Sequence, residues 1–377
     1  MNKSRSIKIA AIATAITLAF APVANATTWK AGGASSVNGL MAACKAKYQA
    51  ATGDDFPYNG TGSGTGKTGV HNGTMDFAFS DSFESAPLAN QIQAPAFVWP
   101  VAILTNTGGS NKPLTLSTET IAKIFAGKIT RWDDEQIVAD NNRPITTIIY
   151  AKNADGSVKK DAKGTPIVLR TQTLTQKRIL PAKPITVFYR SANSGTSNNL
   201  TNAFNKLYPS IWTKAANDSF ATAFPGDITA NPQFFRGATG SGDVANGVKA
   251  TPYSITYAEV GFAKAPYNLA ITKVINAAGN AITPSSDSAM AAAAQATVAA
   301  DGKVTFAYDT KDADSYPFTA TTYALAVAGK ANSADIAKTL NYLSNNCAKD
   351  NPAEGFGAYS ATNAFAKAFQ AQLAKLK

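Results

Sequence analysis

The sequence predicts an α/β protein built in two domains. Short apolar runs rich in β-formers alternate with segments of helical periodicity along the chain, the pattern of strands joined by helices and of mostly parallel sheets. Once an N-terminal leader is set aside, about 350 residues remain, more than a single hydrophobic core usually accommodates. At three places Gly, Ser and Thr cluster where a strand is expected to pass into a helix: Gly32–Ser36, Gly62-Ser63-Gly64 and Ser194-Gly195-Thr196. One such junction is ordinary helix capping. Three suggest helix N-termini converging on a shared anion, because each start offers unpaired N–H groups and the positive end of the helix dipole.

The leader comes first. Lys3, Arg5 and Lys8 precede an apolar stretch from Ile9 to Phe20, and Ala24-Asn25-Ala26 is a small-residue cleavage site. Residues 1–26 therefore read as a signal peptide, with the mature chain starting near Thr27. The cleavage site has no cysteine, so lipid anchoring is not expected. No later apolar run approaches the ~20 residues needed to span a bilayer. A periplasmic protein is expected, with release from the cell as the alternative. The formal charge is +11, and without the three leader cations it is about +8. That balance suits an anionic ligand, a nucleic acid or an anionic surface; ordinary solubility explains it equally well.

Trp29–Gly33 reads as a strand and Ser35 to about Ala50 as the first helix, ended by Gly53. A glycine-rich turn, Asn59–Lys67, opens a short helix. Met75–Asp81 reads as a strand with a polar tip, and Ala96–Thr105 as one long apolar strand. A helix starts at Ser117 or Thr118 with Glu119 in its first turn and stops at Gly127. Another helical piece begins at Trp132. Residues 150–183 read as a basic hairpin excursion, a charge run that more often is a solvated face than a contact surface. Ile185–Tyr189 is a buried strand, and Asn198–Leu207 is helical from its i, i+4, i+7 apolar spacing. Gly237–Asp243 precedes a further helix, and Tyr253–Phe262 is a strand. An alanine-rich helix (about 286–300), a strand (321–327) and two helices (about 333–349 and 361–375) close the chain.

Cys44 and Cys347 each fall on the apolar stripe of a predicted helix. In an oxidising compartment a disulfide between them is expected, and two buried free thiols are the alternative. Thr61–Thr68 resembles a nucleotide-binding P-loop, but Thr61 stands where that motif needs its first glycine, and no strand supplies the magnesium-binding aspartate. A His-dependent triad would rest wholly on His71, the single histidine, and there is no G-x-S-x-G elbow. Two remote cysteines and one histidine make no metal site. Asp133, Asp134 and Glu135 read as helix N-terminal charges.

The central stretch is Arg190-Ser-Ala-Asn-Ser194-Gly195-Thr196-Ser197, an arginine fork beside a helix start. Together with Gly33–Ser36, Gly60–Gly64, Met75–Asp81, Ile124–Asp133, Val187–Thr196 and Thr251–Tyr257, in that order, it resembles the periplasmic phosphate-binding proteins of phosphate ABC transporters. The resemblance implies a type II periplasmic-binding fold, two lobes with a ligand cleft at the hinge, here roughly 27–105 with 259–377 and 106–258. It implies phosphate ligands at Ser35, Ser36, Ser63, Asp81, Arg190, Ser194, Gly195 and Thr196, with no cofactor, no metal and no catalysis. The partners it implies are inorganic phosphate and a membrane permease, with no nucleic acid, and the expected state is a monomer. A secreted phosphatase-like hydrolase and an extracellular anion-binding scaffold or adhesin on the same fold are the alternatives. An acid that commonly partners the family's arginine two residues later is Ala192 here, so Arg190 must find another carboxylate.

Overall fold

A computed structural model of the chain describes residues 26–109, 112–154, 157–162, 164–175, 178–359 and 363–376. The expected leader lies outside them except for Ala26.

Two five-stranded sheets organise the molecule. The first runs in the order Tyr58–Asn59, Ala31–Gly33, Phe77–Ser80, Thr319–Val327, Gln91–Pro100. The second runs Phe235–Ala238, Thr186–Arg190, Ser254–Ala258, Ala102–Asn106, Ala270–Ile271. Each sheet is mixed rather than mostly parallel. The first three strands of each pair in parallel, and antiparallel strands complete it.

The expected long strand Ala96–Thr105 is two strands in two sheets. Gln91–Pro100 belongs to the first, Ala102–Asn106 to the second, and Val101 lies between them. An unbroken apolar run conceals this change of sheet, because burial on both sides looks the same in either sheet. Sheet membership changes back after the second-sheet strand Ala270–Ile271 and before Thr319–Val327. The expected lobe limits at 105/106 and 258/259 therefore do not coincide with the changes of sheet.

One continuous aromatic-rich core underlies both sheets. Tyr48, Phe56, Phe77, Phe79, Phe97 and Trp99 are buried around the first; Phe125, Trp132, Phe204, Trp212, Phe220 and Tyr257 are buried around the second. The helix Asn38–Thr52 turns Leu40, Met41, Cys44 and Tyr48 inward and stops where Gly53 takes φ 79°. A disulfide joins Cys44 to Cys347 across a separation of 303 residues. The alanine-rich helix ends at Ala294, before the expected limit near 300. β-branched Thr297 and Val298 instead pair with Val304 and Thr305. The second helical piece starts at Glu135, capped by Asp134, and Trp132 is core.

The basic excursion is a two-stranded ribbon outside both sheets: Pro144–Tyr150 lies antiparallel to Val168–Thr175. Val168 and Leu169 on it are 51% and 65% exposed.

Candidate functional site

All six parallel strands deliver a polar residue or a helix start to one place, Ser254–Ala258 through Glu259. Ala31–Gly33 leads to Ser35 and Ser36; Tyr58–Asn59 leads to the helix Ser63–His71; Phe77–Ser80 leads to Asp81. From the second sheet, Thr186–Arg190 leads to the helix Gly195–Leu207 and Phe235–Ala238 to the helix Ser241–Ala250. Ligand clefts of open α/β sheets form at such carboxyl ends of strands. The two lobes meet here backbone to backbone. A Cβ at Gly62 would stand 2.7 Å from the Asn193 carbonyl oxygen, and one at Gly195 would stand 2.5 Å from the Ser82 nitrogen. Glycine is needed at both because the chain approaches too closely for any side chain.

Asp81 occupies the first lobe's wall, 2% exposed. Ser36 Oγ donates to its Oδ1 at 2.8 Å and Thr322 Oγ1 to the same oxygen at 2.7 Å. Thr196 Oγ1, from the other lobe, donates to Oδ2 at 3.1 Å. Burial pushes the Asp81 carboxyl above the usual carboxylate range, while these three hydroxyls and the Arg190 charge pull it back. Ser63 Oγ accepts from Asp81 N at 3.0 Å and from Gly195 N at 3.1 Å, tying one lobe's loop to the other's helix start.

Arg190 occupies the facing wall, also 2% exposed. Its Nε donates to the Thr239 carbonyl at 2.6 Å and its Nη1 to Ser241 Oγ at 3.1 Å. Its Nη2 is buried without a partner. Arg190 takes part in none of the ion pairs among the described residues. Ser241 Oγ lies 3.1 Å from Ser35 Oγ and donates to Glu259 Oε1 at 3.2 Å. Burial first, and then the Asp81 charge, push the Glu259 carboxyl up to about 7. Ser194 caps its helix, its Oγ accepting from Ser197 N at 3.4 Å.

The structure brings Ser35, Ser36, Ser63, Asp81, Arg190, Ser194, Gly195 and Thr196 to this one cleft. Three further residues belong to it that the sequence reading passed over. Ser241 had a readable signal, since Gly240-Ser241-Gly242 repeats the glycine–hydroxyl junction found three times elsewhere. Glu259 lay unremarked inside the expected strand Tyr253–Phe262, which ends at Ala258. Thr322 gave no signal, because its role depends on strand register. Other residues weighed in the sequence lie apart from the chemistry. His71 Nε2 pairs with Glu84 at 3.1 Å. Lys67, the P-loop-like lysine, donates to Ser82 Oγ at 2.7 Å and reaches across the cleft to Asp218 at 3.0 Å. Among the described residues, no three His, Cys, Asp or Glu side chains cluster as metal ligands, and no helix is long and apolar enough to cross a membrane.

A family described as the PBP superfamily domain matches residues 21–345. A phosphate-binding protein PstS of Haemophilus influenzae is 30% identical over 286 residues, covering 74% of this chain and 72% of that one. The chain belongs to the PstS family. Another member, the phosphate-binding protein PstS 3 of Mycobacterium tuberculosis, is 27% identical over 310 residues, 78% of this chain and 72% of that one. Among solved structures, a high-affinity periplasmic phosphate-binding protein (PfluDING) bound with phosphate superposes with TM-score 0.62 at 23% identity. The match covers 91% of this chain and 93% of that one. A phosphate-binding protein from Stenotrophomonas maltophilia gives TM-score 0.60 at 21% identity, covering 92% and 94%. These two likenesses fix the fold: mixed α/β in two lobes, as in the PstS family's type II periplasmic-binding architecture.

Proposed function

We propose that this chain captures inorganic phosphate in the periplasm and delivers it, chemically unchanged, to the permease of a phosphate ABC transporter. The observation that carries the reading is the pair of opposed walls: a buried guanidinium with an unsatisfied N–H against a buried carboxyl, with helix starts from both sheets around them. An arginine and N-terminal amides bind any oxyanion. The carboxylate selects one that still carries a proton, because the ligand's O–H can donate to Asp81. Sulfate has no such proton at neutral pH and would leave the carboxylate unpaired and repelled. The names of the relatives and the N-terminal leader support the same reading. The ligand set is Ser35, Ser36, Ser63, Asp81, Arg190, Ser194, Gly195 and Thr196, and the active form is a monomer. The hinge falls near Val101 and between Ile271 and Thr319, a division supported by sheet membership. Competition calorimetry of phosphate against sulfate tests the reading: Asp81→Asn should weaken phosphate and admit sulfate. Unchanged discrimination in that variant would sink the selection mechanism.

A further inference from the structure

The cleft contains a second buried carboxyl with no assigned task. Glu259 follows the strand Ser254–Ala258 and is 5% exposed. Its Oε1 accepts from Ser241 Oγ, and that same oxygen accepts from Arg190 Nη1. Ser241 is therefore an adaptor, joining the guanidinium to a carboxyl that does not touch it. It also lies beside Ser35 Oγ of the opposite lobe, so Glu259 sits one hydroxyl away from the ligand walls of both sheets.

Charge counting makes this arrangement consequential. An empty cleft holds one guanidinium against two carboxyls, Asp81 and Glu259. An arriving oxyanion adds at least one more negative charge in a site screened from water. Two carboxylates and an anion against a single cation cannot all stay ionised in such surroundings, and one proton relieves the conflict. The two carboxyls are not equal candidates for it. Asp81 receives three hydroxyl hydrogen bonds, which favour its ionised form; Glu259 receives one. A cleft of about 430 Å³ lined by Ser35, Ser36, Glu259, Lys264, Tyr267 and Glu354 gives the proton its route from solvent. Among the described residues, the charged groups around Glu259 besides Asp81 and Arg190 form no ion pair with it. Lys264 Nζ donates to the Ala353 carbonyl, Glu354 stands over Gly39 and Gly261, and Asp243 accepts from Gly240 N.

We propose that Glu259 couples anion capture to proton uptake: it balances Arg190 as a carboxylate in the empty cleft and takes one proton from solvent as the anion enters. The only bond formed is the Glu259 O–H. Ser241 then accepts from both the acid and Arg190, and its own hydrogen turns toward Ser35 or the anion. Glu259 thereby sets how affinity depends on pH. The upward displacement of its carboxyl to about 7 agrees with this role. The inference rests on the phosphate-binding reading.

The test is calorimetry with inorganic phosphate from pH 6 to 9, in buffers of different ionisation enthalpy, on the wild-type protein and Glu259→Gln. The ligand's own titration is common to both proteins, so their difference isolates Glu259. Above pH 7 the wild type should take up as much as one proton more per phosphate than the variant. Its affinity should fall relative to the variant by up to tenfold per pH unit. Parallel pH profiles with equal proton counts overturn the inference while leaving phosphate binding intact. Absence of phosphate heat in the wild type at every pH overturns the binding reading, and this inference with it. Infrared difference spectra of the wild type and Glu259→Gln show which carboxyl takes the proton. A protonated-carboxyl band should appear on adding phosphate at pH 8 in the wild type and not in the variant; its absence from the wild type, or its persistence in the variant, refutes the coupling.

Discussion

The two walls of the cleft are built on opposite principles. On the first sheet's side, Asp81 is nearly satisfied: Oδ1 accepts two hydroxyls, Oδ2 accepts one and can accept one more, and its backbone N–H is held by Ser63. On the second sheet's side, Arg190 is incomplete: Nε and Nη1 are occupied, Nη2 is buried and bare, and Glu259 is reached only through Ser241. A buried unpaired donor is costly, and an incoming oxyanion removes that cost. On the proposed reading, the acceptor site left on Asp81 selects the ligand, and the unpaired donor of Arg190 supplies the drive to bind it.

That contrast can be broken from either side. The largest effect should come from Arg190→Ala, which removes the cation and its unpaired donor together. Phosphate affinity should drop by at least ~1.5–3 kcal/mol, the range for hydrogen bonds to charged groups, as read by titration calorimetry. A variant that keeps wild-type affinity would mean the drive lies in the helix starts alone. Thr322→Val is milder. It preserves shape but removes the 2.7 Å donor to Asp81 and leaves Trp99 Nε1 without its acceptor. Thermal or denaturant unfolding should show a loss of about 1–3 kcal/mol. With one donor fewer, the Asp81 carboxyl should move further up, so phosphate affinity should begin to weaken at a higher pH during acidification than wild type. The smallest change is expected from Lys67→Ala. Its bridge to Asp218 crosses the cleft with both partners partly exposed, 16% and 18%, so it should be worth roughly 0.2–1 kcal/mol. Because it latches the lobes rather than touching the ligand, stopped-flow release should quicken while phosphate-over-sulfate selection is unchanged. Altered selection would place Lys67 in the site itself.

Much of the first-contact chemistry could be read from the chain. Ser35, Ser36, Ser63, Ser194, Gly195 and Thr196 announce themselves because glycine and hydroxyl residues at a strand-to-helix junction have a local cause, the unpaired amides of a helix start. Asp81 stood out as the polar tip of an apolar strand. Glu259 and Thr322 were not legible. Thr322 lies 241 residues from the carboxylate it serves, and its place follows from the register of Thr319–Val327 between two neighbours. Sequence periodicity says that a strand has two faces; it does not say which residue of which neighbour stands opposite. The same limit hid the sheet change at Val101 within a uniformly apolar run.

Left to itself, then, the sequence determines the alternation of strands and helices, the helix starts that favour an anion, and the arginine placed beside one of them. Each is a short-range consequence of side-chain period, capping and backbone freedom. Only the tertiary structure decides that six strand ends share one cleft, that three hydroxyls from distant segments meet on Asp81, and that Arg190 reaches the Glu259 carboxyl through Ser241. Those outcomes depend on how two sheets are strung by their crossing strands and packed together, and long-range packing leaves no local trace in the chain.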